Sequence, residues 1–304
     1  MAEGVIPALS ELIALRAQVT GRRPARRGSH GLQGFAQSHL RGRGMVYAES
    51  REYAIGDDAR HIDWRLTARS GKAHTKLHQA ERERLTLLVA DCAPTLYFGT
   101  RVRFKSVQAA RVGALAAWLA VQDGDRIAAM RGMLQDSTVA PGAGVRGALR
   151  VLEALSRWYA RPPEAGPGLA MALEQSRLLL RPGARLLVLA DPDSVSTIPA
   201  SLWSALTRHH EVVVVLLTDP LEQRPPTARL TFQIALPAGA DTRIALGLDE
   251  AGVRQRWKQM FHDRAEQTVA ELHRHGARAM CLSTDAPSDA WLPLLQQASA
   301  RRRQ

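Results

Sequence analysis

Two sets of carboxylates are spaced so that they could do chemistry. The first lies in the segment 51–69, where Asp57, Asp58 and Asp63 place three acids within seven residues and Arg51, Arg60, Arg65 and Arg69 surround them. Such a group could hold a metal or a phosphate. Guanidinium pairs with carboxylate in a bidentate fork, however, so the mixture tends to neutralise itself. We therefore read the segment first as a turn held by arginine–carboxylate pairs, anchored by Tyr53 and Trp64 and able to carry an interaction surface. The second set is Asp91, Asp191 and Asp219, each of which follows a strand-sized apolar run.

No nucleophile–base arrangement accompanies either set. The chain lacks a Gly-x-Ser-x-Gly elbow, a phosphate-binding Walker loop and a His-Glu-x-x-His helix. The histidines form close pairs only at His209-His210 and His273/His275. Both pairs fall at expected helix ends, where imidazole favours the negative end of the dipole and faces solvent. The sequence is therefore not read as an enzyme. A magnesium-dependent hydrolase built on Asp91, Asp191 and the Asp57–Asp63 cluster is the alternative within catalysis.

The strand-end aspartates need a scaffold, and the apolar pattern supplies one. Leu85–Ala90, Ala184–Ala190 and Glu211–Leu217 are apolar almost throughout, as expected of parallel strands buried on both faces. Helical patterns separate them at Arg103–Val121, Gly144–Ala160, Gly168–Leu180 and Pro199–His209. Alternating buried strands and helices imply an α/β fold with a doubly wound, mostly parallel sheet. In such sheets ligands bind at the carboxyl ends of the strands, where all three aspartates fall. A short edge strand is expected in 132–139, a β-hairpin insertion near 228–246, one long helix from Asp249 to His275 and a last helix from Ser288 to Ala300. Residues 1–84 read as an N-terminal extension of a helix (Pro7–Val19) followed by short extended segments, and 85–300 as the α/β domain.

Composition narrows the class of partner. The chain has 304 residues and a formal net charge of +12. Only four of its 41 basic residues are lysines, so much of the excess reflects an arginine-rich composition. The one dense basic stretch is Arg22–Arg43, with six arginines and no acid, and Arg301–Arg303 closes the chain. No aromatic RNA-binding signature or helix-turn-helix pattern accompanies them, so binding to nucleic acid or another anionic surface is the lesser reading. The apolar runs fall well short of the roughly 20 residues of a membrane span. Two distant cysteines, Cys92 and Cys281, fit free thiols. A cytoplasmic location is expected.

One block is specific enough to suggest a family. Glu52-Tyr53-Ala54-Ile55-Gly56-Asp57-Asp58-Ala59-Arg60-His61-Ile62-Asp63-Trp64, followed by Ala68-Arg69, resembles the signature of the domain-of-unknown-function 58 (DUF58) family. Arg51, Tyr53, Gly56, Asp57, Asp58, Arg60, Asp63, Trp64 and Arg69 are its signature and interaction residues here. In that family the block precedes a von Willebrand factor A-like, Rossmann-like domain. The resemblance implies a non-enzymatic interaction module, an adaptor or partner of a MoxR-type AAA+ ATPase with a chaperone-like or complex-maturation role.

The same resemblance implies a metal loop and shows what it lacks. In von Willebrand A domains the first strand ends in Asp-x-Ser-x-Ser, and hydroxyl and carboxylate oxygens hold a magnesium ion. Here the loop reads Asp91-Cys92-Ala93-Pro94-Thr95, and alanine cannot coordinate. A second loop near Gly166–Gly168 has no threonine, while a third offers Asp191, with Asp193 as a substitute. The surviving set is Asp91, Thr95 and Asp191, a degenerate site able to hold magnesium weakly at most. The favoured alternative is that Asp91 and Asp191 hydrogen-bond the loop backbones at the rim of the sheet.

Overall fold

The computed structural model describes residues 4–20, 45–54, 59–80, 84–132, 138–162, 168–235 and 241–296. Gly56, Asp57, Asp58, the Arg22–Arg43 stretch and the Arg301–Arg303 tail lie outside the described residues. The chain divides into two compact units, and the division does not follow chain order. The helix expected over Pro7–Val19 is two short helices, α1 (Leu9–Ala14) and α2 (Arg16–Val19). They belong to the larger unit, where Leu12, Leu15 and Val19 are buried in its core. The extension expected over 1–84 is thus shared between the units.

The smaller unit is a two-stranded antiparallel ribbon of β1 (Met45–Glu52) and β2 (His74–Ala80), with helix α3 (Trp64–Ser70) between the strands in sequence. The sequence pattern suggested only short extended pieces over α3. Local chemistry explains the helix. Asp63 is its N-cap, accepting from the Leu66 N–H at 3.1 Å, and Ser50 donates to the other carboxylate oxygen at 3.3 Å. Gly71 ends the helix at φ +73°, a left-handed conformation that costs glycine little.

The larger unit runs β3 (Leu85–Ala90), α4 (Lys105–Gln122), β4 (Arg126–Arg131), β5 (Val139–Ala143), α5 (Gly144–Trp158), α6 (Gly168–Leu179), β6 (Arg185–Ala190), α7 (Pro192–Ser196), α8 (Ala200–His209), β7 (Glu211–Thr218) and α9 (Pro220–Gln223). A hairpin of β8 (Arg229–Ala235) and β9 (Asp241–Gly247) follows. Then come α10 (Ala251–Lys258), a π-helical turn over Gln259–Asp263, α11 (Arg264–Arg274), β10 (Arg278–Ser283) and α12 (Pro293–Gln296). Six strands form one sheet in the order β10-β7-β6-β3-β4-β5, parallel except for β5, which runs antiparallel at the edge. This is a Rossmann-like α/β architecture.

Alternation along each strand divides the core in two, because successive side chains point to opposite faces. Leu88, Ile127, Ala129, Leu187, Leu189, Val213 and Val215 pack on the face covered by α1, α4 and α5. Leu87, Val89, Ala128, Met130, Leu186, Val188, Val212 and Val214 pack on the face covered by α6, α8 and α11. Trp118 of α4 donates its indole N–H to the Leu12 carbonyl at 3.1 Å, tying α1 to the first face.

Three boundaries differ from expectation. The edge strand lies at Val139–Ala143, after the expected 132–139 segment, of which 133–137 lie outside the described residues. The expected helix from Asp249 to His275 begins at Ala251, after Glu250, and widens into the π-helical turn. The helix expected from Ser288 is α12 alone among the described residues. Among those residues no helix is long and apolar enough to cross a membrane.

Candidate functional site

The carboxyl ends of β3, β6, β7 and β10 bring one group of polar side chains together with the start of α4. Asp91 follows β3 and is buried. One of its oxygens accepts from the Cys92 and Ala93 N–H groups at 2.7 and 3.2 Å, and the other from the Asp191 N–H at 3.1 Å. Burial nevertheless pushes its carboxyl above the ordinary value, against the pull of Ser194 and of these backbone donors. The Asp91 carbonyl accepts from the buried Tyr159 hydroxyl at 3.2 Å. Desolvation holds that phenol well above its usual pKa, so it stays protonated as a donor.

Asp191 caps α7, accepting from the Asp193 N–H at 3.0 Å through one oxygen. Its other oxygen accepts from Lys105 Nζ at 2.7 Å. The same ammonium donates to Glu222 Oε1, also at 2.7 Å. Glu222 belongs to a capping box on α9: its second oxygen accepts from the Asp219 N–H at 2.9 Å. The Asp219 carboxylate in turn accepts from Thr100 N–H at 2.9 Å, Thr100 Oγ1 at 2.5 Å, Leu221 N–H at 3.0 Å and Thr284 Oγ1 at 2.8 Å.

Lys105 is the centre of this arrangement, and the sequence reading passed over it. It opens α4 and is 1% exposed. A cation in the first turn faces the positive end of the helix dipole, and burial adds a desolvation cost. Burial alone would lower its pKa, but Asp191 and Glu222 carry it above the ordinary lysine value. The ammonium is held charged by its two carboxylates. The available signals were a lysine at the start of a mostly apolar helix and the Asp219-Pro220-Leu221-Glu222 capping pattern.

The residues expected to bind metal do not gather as ligands. Asp91 and Asp191 lie next to each other at the rim, but their oxygens accept from backbone N–H groups and from Lys105. Thr95 is exposed and lies across a small cavity from Lys105 and Asp191. Asp193 pairs with Arg264 at 2.9 Å. In place of the second loop's hydroxyl, Gly132 and Gly168 pack backbone to backbone, with the Gly168 N–H on the Gly132 carbonyl at 3.0 Å. A Cβ at Gly132 would collide with the Gly168 carbonyl. Among the described residues no group of three or more His, Cys, Asp or Glu side chains could hold a metal ion. The residues present do not fit magnesium. The cavity, bounded also by Thr218, Gln223, Met260 and Phe261, measures about 30 Å³, far below the several hundred of small-molecule sites.

The signature residues lie in the smaller unit. Asp63 serves the α3 cap, Arg51, Arg60 and Arg69 are exposed, and Tyr53 is half-buried with its N–H on the Ala73 carbonyl at 2.8 Å. Trp64, at the start of α3, is 71% exposed. A family model described as "Protein of unknown function DUF58" matches residues 49–267, most of the chain. The chain belongs to the DUF58 family. It is similar to uncharacterized proteins of Mycobacterium bovis and Mycobacterium tuberculosis, 30% identical over 193 residues. That match takes in 61% of this chain and 58% of theirs. Among solved structures it is similar to the conserved hypothetical protein BatB from Bacteroides thetaiotaomicron. There the identity is 13% and the TM-score 0.46, over 73% of this chain and all of the other.

Proposed function

We propose that this DUF58 protein is a non-enzymatic interaction module: a von Willebrand A-like domain joined to a signature unit, acting as an adaptor or partner of a MoxR-type AAA+ ATPase in complex maturation. The observation that carries the reading is Trp64, the largest of the exposed hydrophobic side chains among the described residues. It opens α3 beside the exposed Arg65, with Arg69 one turn further on. Burying an indole at an interface yields far more than burying other exposed side chains, and tryptophan and arginine dominate binding hot spots. The rim of the larger unit supports the same reading. Its carboxylates are committed to backbone donors and to Lys105, and its cavity is too small for an organic substrate. Recognition by shape and charge is therefore favoured over metal-dependent adhesion.

The test is capture of the ATPase by the full chain in ATP and in ADP, with Trp64→Ala as the variant. Loss of a hot-spot tryptophan weakens binding by about 30-fold or more, equivalent to about 2 kcal/mol. Because the side chain is exposed, thermal stability is expected to stay unchanged. No capture in either nucleotide state, or equal capture by the variant, would count against the proposal.

A further inference from the structure

We propose that the ammonium of Lys105 is the resident cation of the strand-end cleft, closing it to divalent metal ions. Three observations converge on this role. The ammonium donates at 2.7 Å to each of two carboxylates from different crossovers, Asp191 after β6 and Glu222 on α9. It is buried, and the carboxylates are buried with it, so the three charges exchange little with water. Asp91, Asp191, Asp219 and Glu222 all lie at this rim, and the charge balancing them from within the cleft comes from the protein itself.

The chemistry of the donors gives the inference its content. Two carboxylates facing one point, beside a cavity that Thr95 and Thr218 help to line, would offer hard oxygen donors to a hydrated divalent cation if the ammonium were absent. A divalent ion at that point would have to share both carboxylates with a fixed positive charge a bond length or two away. Its entry is opposed by repulsion in a desolvated site. Lys105 therefore substitutes for a metal electrostatically: one charge on a covalent tether, present at any metal concentration. The α4 amino terminus is where such a tether must start, because the carboxyl ends of parallel strands face the amino termini of the crossover helices. This inference concerns the larger unit alone and does not depend on the ATPase partner.

The experiment uses the full chain, freed of metal by chelation, and titrates Mn²⁺ or Mg²⁺ by calorimetry with a parallel thermal melt. Wild type is expected to show no saturable binding and no metal-dependent shift in Tm. Lys105→Met keeps the stem and removes the charge. It is expected to gain a saturable site, at least about tenfold tighter than any wild-type binding, because the site's net charge becomes more negative by one. The metal should raise the variant's Tm, and adding Asp191→Asn should abolish both effects. A Lys105→Met protein that folds only with Mn²⁺ would support the inference equally. Saturable wild-type binding that Asp191→Asn removes would overturn it, as would a folded Lys105→Met protein with no gain. If Lys105→Met folds under neither condition, Mn²⁺ paramagnetic resonance on wild type decides: a bound, Asp191-dependent signal overturns the inference, and its absence supports it.

Discussion

The two ends of the central sheet carry charge clusters of opposite design. At the carboxyl end one cation, Lys105, is shared by two carboxylates in full burial. At the amino end one anion, Glu211, is shared by three arginines: Arg84, Arg278 and Arg185, the last at 3.3 Å. The arginines have other outlets. Arg278 also donates to the Leu294 carbonyl, Asp123 and Asp125 attract Arg185, and both Arg84 and Arg278 keep partial contact with solvent. Among the described residues Lys105 has only its two carboxylates as partners. The contrast separates an arrangement that solvent can repair from one that it cannot, and it locates the chemically constrained end of the molecule.

The largest effect expected from this contrast is on stability. Lys105→Met should cost about 3–5 kcal/mol in metal-free urea denaturation, since it leaves buried carboxylates without their cation. Glu211→Gln, two of whose three partners reach water, should cost about 1–2 kcal/mol and lose part of that in high salt. Equal costs, or a salt-sensitive Lys105 contribution, would erase the distinction.

Alkaline titration sharpens the comparison further. The Lys105 pKa is raised in the folded state, so its contribution is fully present below the ordinary lysine value of about 10.4. It is lost as pH climbs through the raised folded value. The stability gap between wild type and Lys105→Met should therefore hold constant to about pH 10 and shrink above it. Arginine stays charged over that range, so the Glu211 gap should persist.

The smallest effect concerns a thiol. Burial, with Glu266 adding to it, pushes Cys281 up to about 12. Alkylation of the native protein near pH 8, followed by mass spectrometry, should leave Cys281 unmodified until denaturant is added. Rapid native labelling would show that β10 is more open than its pairing with β7 implies.

What could be read from the sequence follows from the range of the interactions involved. Apolar runs such as Leu85–Ala90 and Val212–Leu217 mark buried strands because burial on both faces leaves few polar positions. Once the strands are placed, Asp91, Asp191 and Asp219 fall at one rim. The Lys105 contacts were illegible because they join residues 86 and 117 positions apart, brought together only by completed crossovers. Helix α3 is hard to read because Asp63, its N-cap, sits among arginines that could equally pair with its carboxylate. The π-helical turn over Gln259–Asp263 contains no glycine or proline to announce it.

One edge of the sheet has a consequence for how other chains approach. Strand β5 includes Pro141, which has no amide hydrogen to offer a neighbouring strand, and its carbonyl already accepts from Arg126 at 2.9 Å. A foreign strand aligned there would find a missing donor and an occupied acceptor side by side. The sheet is thus protected on that flank from templated growth into larger aggregates. Partners at this edge must bind through side chains, not by lengthening the sheet.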